Sequence, residues 1–75
     1  MIFEKLKKLI YEQLGVDEDE VIMESSFGDD LGFDDLDMVE LIMNAEEEFD
    51  IEIDAAGPDF NTVGEMVSYI QKKLE

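Results

Sequence analysis

The sequence has no cysteine, no histidine and no arginine, and only one proline, Pro58, in 75 residues. Without cysteine, neither a disulfide framework nor a thiolate metal site can add stability. Without histidine the chain lacks the usual general base at neutral pH, the usual activator of a nucleophile and the commonest zinc ligand. Ser-His-Asp and Cys-His catalysis are both excluded. No stretch approaches the roughly 20 apolar residues of a membrane span. The segment from Met1 to Leu14 lacks the basic start, apolar run and small-residue cleavage site of a signal peptide. A cytoplasmic protein is expected.

Positive charge is scarce as well. Five lysines, Lys5, Lys7, Lys8, Lys72 and Lys73, stand against 22 Asp and Glu, for a formal net charge of -17. Such a surface repels phosphate backbones and anionic lipid, so nucleic acid and membranes are excluded as expected partners. Basic protein surfaces are the favoured ones. The same repulsion should keep the chain monomeric and weaken its fold at low salt.

What is present is a patterned apolar complement, 45 % of the residues, which argues for a folded core rather than acidic disorder. A chain of this length forms one domain, residues 1–75, and buries only about 60 to 65 % of the surface its unfolded form exposes. A thin core leaves little room for a walled catalytic pocket, so an enzyme is not expected.

Ile2, Phe3, Leu6, Leu9, Ile10 and Leu14 recur at helical spacing, and Gly15 supplies a stop. Residues 16–34 show no sustained period. They scatter the anchors Val16, Val21, Ile22, Phe27 and Leu31 among acids, serines and glycines, and so read as a long loop pinned to the core. From Leu36 to Phe49 a second helix is expected, with Leu36, Val39, Ile42, Met43 and Phe49 as its buried stripe and Asp34 or Asp35 as its N-cap. Gly57 and Pro58 allow at most one irregular turn over Asp54 to Phe60, a short third helix. Thr62 and Glu65 form a capping box that opens the last helix, where Val63, Met66, Val67, Ile70 and Leu74 make the apolar stripe. The expected fold is all-α: an antiparallel bundle of three main helices plus the short irregular one.

The run Asp30-Leu31-Gly32-Phe33-Asp34-Asp35-Leu36-Asp37-Met38-Val39-Glu40-Leu41 closely resembles the acyl carrier protein signature, Asp-Leu-Gly-x-Asp-Ser-Leu-Asp-x-Val-Glu-Leu. The likeness extends along the chain, through Gly15-Val16, Ser26-Phe27, Glu46-Glu47-Glu48-Phe49-Asp50, Ile53-Asp54 and the Thr62-Val63 helix start. It implies a carrier of fatty acid synthesis, which catalyses nothing. Members of that family hold acyl chains as thioesters on 4'-phosphopantetheine and present them to basic patches of synthesis enzymes. By the same resemblance, Asp34, Leu36, Asp37, Met38, Glu40, Glu46 and Glu47 would meet those enzymes and the phosphopantetheinyl transferase. Val39, Ile42, Met43, Phe49, Met66, Val67 and Ile70 would be core that can open around an acyl chain, with methionines suited to repacking.

Asp35 stands where the signature has the arm-bearing serine. The transferase needs a hydroxyl to leave a stable phosphodiester, whereas a carboxylate would give a labile mixed anhydride. Ser25, Ser26 and Ser68 lack the signature around them. No prosthetic group is therefore expected on this chain. An acyl carrier scaffold without its arm and a carrier-like adaptor or regulatory module are both compatible with that reading. The acids around Asp35 do not make an EF-hand, because a loop starting at Asp30 has Asp35 where glycine is needed and Leu41 where glutamate is needed. No specific metal site is expected, only loose divalent binding that relieves repulsion. Nor do Asp34 and Asp35 resemble a glycosidase pair, which faces its two carboxylates across a deep cleft.

Overall fold

A computed structural model describes residues 1–53 and 60–75. Among the described residues three α-helices follow one another: α1 (Ile2–Leu14), α2 (Asp35–Phe49) and α3 (Val63–Leu74), with a 3-10 turn, Glu18–Glu20, between the first two. Among the described residues there is no strand, only an isolated antiparallel bridge between Ser26 and Thr62. The fold is all-α, as the periodicity implies. The short helix expected over Asp54 to Phe60 lies, but for Phe60, outside the described residues.

Several helix ends have a local cause. Gly15 takes the left-handed conformation at φ 75° and its N–H donates to the carbonyl of Tyr11, closing α1. Thr62 Oγ1 accepts from Glu65 N while Glu65 Oε1 accepts from Thr62 N, the reciprocal cap read from the sequence. The same carboxylate oxygen accepts from Asn61 N at 2.6 Å, so Glu65 also draws in the chain that precedes α3.

α1 packs against both other helices and runs antiparallel to α2. The direction follows from contacts at the two ends. Lys5 near the start of α1 lies over the Phe49 ring and 3.9 Å from Glu48 at the end of α2. At the other end, Gln13 Nε2 donates to the carbonyl of Asp37 at 2.8 Å. The core gathers Leu6 and Ile10 from α1, Leu41, Ala45 and Phe49 from α2, and Val63, Met66, Val67 and Ile70 from α3. Leu14 and Leu74, expected in the stripes, are exposed at the helix termini.

The long loop is the fourth wall of this core. Val21, Phe27, Leu31 and Phe33 are buried from it, whereas Ile22, expected as an anchor, is exposed. Adjacent residues of an extended segment face opposite ways, so Val21 and Ile22 cannot both point inward. Backbone hydrogen bonds fasten the loop to the entry of α3: Phe27 N to Asn61 O, Val63 N to Ser25 O and Gly64 N to Met23 O. A Cβ on Gly64 would lie 3.0 Å from the Met23 carbonyl oxygen, tighter than an ordinary contact, so glycine suits this close approach.

Candidate functional site at the start of the second helix

The loop ahead of α2 is held from beneath. Asp30 Oδ2 accepts from Ser26 N at 2.7 Å, the N–H groups of Asp30 and Leu31 donate to Ser26 O, and Gly32 turns the chain at φ 75°. Phe33 N then donates to Phe27 O at 2.8 Å, and the two rings pack edge to face with centroids 5.4 Å apart. Phe33 fills the unspecified place in the signature, yet it is buried and supports the site from below.

At the helix itself, Asp34 and Asp37 cap reciprocally. Asp34 Oδ1 accepts from Asp37 N at 2.8 Å and Asp37 Oδ2 accepts from Asp34 N at 3.2 Å. Of the two candidates for the cap, Asp34 is the one, and Asp35 is the first residue of the helix. Its side chain is exposed and takes no part in the cap. A carboxylate in the first turn is favoured there by the positive end of the helix dipole.

The remaining face of α2 corrects the expected core. Leu36, Val39 and Met43 are 66, 52 and 58 % exposed, while the helix buries Leu41, Ala45 and Phe49, with Met38 and Ile42 packed against the same cluster. Val39 and Met43 therefore do not belong to the core, and neither does Leu36. A helix with apolar residues on two sides offers two stripes of the same period, and spacing alone cannot choose between them. The small side chain of Ala45, fully buried, marks the 41/45/49 side as the one that packs.

Glu40 and Glu47 are exposed on the face that carries Leu36 and Met43, as the 3.6-residue period requires. Glu46 is placed differently: it is half-buried, and its Oε2 accepts from the backbone N–H of buried Ile53 at 2.8 Å. Its carboxylate is occupied in fixing the chain after α2. Ile42, Phe49, Met66, Val67 and Ile70 lie in or against the core. Between α1 and α2 runs a cleft of about 460 Å³ lined by Leu9, Glu12, Gln13, Glu40, Asn44, Glu47 and Glu48. Among the described residues no three acids come together as a set that could hold a metal ion, and no helix is long and apolar enough to cross a membrane.

The site is thus an exposed helix start, set on a clamped loop and followed by an acidic face with an exposed apolar ridge. Residues 4–70 match the family model described as "Phosphopantetheine attachment site". The chain is 55 % identical to the acyl carrier protein of Clostridium acetobutylicum over 76 aligned positions, covering 100 % of this chain and 99 % of that protein. It is 54 % identical to that of Clostridium perfringens, covering 99 % of each, and 51 % identical to that of Thermotoga maritima, covering 97 % and 91 %. The chain belongs to the acyl carrier protein family. Proteins of this family are carriers of 4'-phosphopantetheine, not enzymes, and they serve the enzymes of fatty acid synthesis.

Residue 35 does not fit the covalent attachment of that group. The side chain that projects from the first position of α2 offers a carboxylate, and a phosphodiester requires a hydroxyl.

Proposed function

We propose that this chain keeps the scaffold and docking face of an acyl carrier protein of the fatty acid biosynthesis type but is not loaded, because Asp35 occupies the attachment position. The observation that carries the reading is the division of labour at the helix start. Asp34 and Asp37 make the cap between them, so the helix stands whatever residue 35 is, and Asp35 is free to differ from serine without cost to the fold. The partners would be fatty acid synthesis enzymes and the phosphopantetheinyl transferase, met through basic patches that face Asp34, Asp37, Glu40 and Glu47, with Leu36, Val39 and Met43 making the apolar contact. Many weak, screened charge contacts give fast and salt-sensitive association and release. The chain would act as a single-domain monomer in the cytoplasm.

Incubation with coenzyme A and a phosphopantetheinyl transferase, followed by mass spectrometry, tests the reading: no mass change is expected, and a gain of one phosphopantetheine overturns it. The Asp35→Ser variant separates the two forms the reading can take. Loading and acylation of that variant identify a carrier scaffold altered at one side chain. Its failure to load identifies a carrier-like adaptor whose surface no longer suits the transferase.

A further inference from the structure

We infer that Asp35 gives the start of α2 the charge of a loaded carrier, so that this chain prefers enzymes that act on loaded carriers over the enzyme that attaches the arm. The inference rests on the reading that the chain is not loaded.

Three observations carry it. Asp35 is exposed at the first position of a 15-residue helix, at the atom-bearing end from which an arm would leave, and the cap is made by its neighbours. Its carboxylate accepts no hydrogen bond from the described residues, so it is available to a partner. It also adjoins the exposed ridge of Leu36, Val39 and Met43, which Glu40 and Glu47 flank, so the docking face is intact around it.

The preference follows from what each kind of partner must accommodate. An enzyme that receives a loaded carrier meets a phosphodiester, one negative charge, where the arm leaves the helix. It must offer cationic or hydrogen-bond-donating groups at that point. A carboxylate projecting from the same helix position satisfies those groups in part. The attaching enzyme must instead bring a neutral hydroxyl up to the anionic pyrophosphate of coenzyme A. There a carboxylate is a like charge brought close, and it is repelled. One substitution thus strengthens the chain's contact with one class of partner and weakens it with the other.

Asp35→Asn tests this, since it removes the charge and keeps the shape. Binding isotherms at low salt would compare the intact chain and this variant on two purified probes: an acyl-chain-elongating enzyme of fatty acid synthesis, and a phosphopantetheinyl transferase saturated with coenzyme A. A single exposed charge contact predicts about two- to fivefold tighter binding of the intact chain to the elongating enzyme, and weaker binding by a similar factor to the transferase complex. Equal affinities, the reverse order on either probe, or no binding of either protein to the elongating enzyme would overturn the inference. Asp35→Ser, kept unloaded, supplies a second neutral reference on the elongating enzyme should the asparagine variant fold poorly. Weighing the intact chain recovered from the transferase keeps the two failures apart. A gain of phosphopantetheine overturns the underlying reading, whereas equal affinities without a mass gain overturn only the preference.

Discussion

At the residue scale, adjacent aspartates at the head of α2 do different work. The Asp34 side chain bonds to Asp37 N, and the Asp35 side chain accepts no hydrogen bond among the described residues. Asp34→Ala should therefore cost about 1 kcal/mol of stability, the usual cost of a lost N-cap. Asp35→Ser should stay within about 0.5 kcal/mol of the parent, as an exposed substitution outside the cap does. Urea midpoints for the two variants check this, and equal losses would mean that the cap is shared. The sequence narrowed the cap to these two residues and no further, because both lie at the right distance from the first apolar turn. Only the backbone's path decides which side chain reaches Asp37. Glu46 shows the same limit. In the sequence it is one acid in a run of three, indistinguishable from Glu47, yet it alone meets the Ile53 N–H. Glu46→Ala leaves that buried donor without its partner and should cost about 1 to 3 kcal/mol, while Glu46→Gln, which keeps an acceptor, should recover most of it. Thermal denaturation of the pair distinguishes a staple from a purely surface acid.

At the element scale, α2 is apolar on two sides, and only one of them is core. The helix boundaries, the Thr62 cap and the Gly15 stop were legible because each depends on a few neighbouring residues and a fixed spacing. The buried face of α2 was not, because the loop and α1 decide it from far along the chain, through Phe27, Phe33, Leu6 and Ile10. The burial of Phe33 is not legible for the same reason: its role is defined by Phe27, which the sequence places six residues away without indicating contact. Truncation on the two faces should give opposite results. Leu41→Ala removes a fully buried side chain and should cost about 2 to 5 kcal/mol. Met43→Ala, on the exposed ridge, should change stability by no more than about 0.5 kcal/mol and instead weaken docking to a synthesis enzyme. Chemical denaturation and a binding isotherm for each variant provide the readings, and a large stability loss in Met43→Ala would place the ridge back in the core.

At the scale of the whole molecule, charge acts on folding and on docking with opposite signs. Seventeen net negative charges sit on a body whose longest extent is 27 Å. At about 0.01 M salt the screening length is about 30 Å, so every charge feels every other, and at about 0.1 M it falls to about 10 Å. The few cations offset little of this: Lys7 pairs with Glu4 on its own helix and Lys5 lies near Glu48. Raising monovalent salt between those limits should therefore raise the melting temperature, because self-repulsion in the compact state is relieved. Attraction to a basic partner depends on the same unscreened field, so over the same range the association rate should fall while the fold becomes firmer. Melting curves and stopped-flow association measured in one salt series test both. If affinity and stability rose together with salt, the apolar ridge of α2 rather than its acids would govern docking, and the Asp35 charge would lose its influence over the choice of partner.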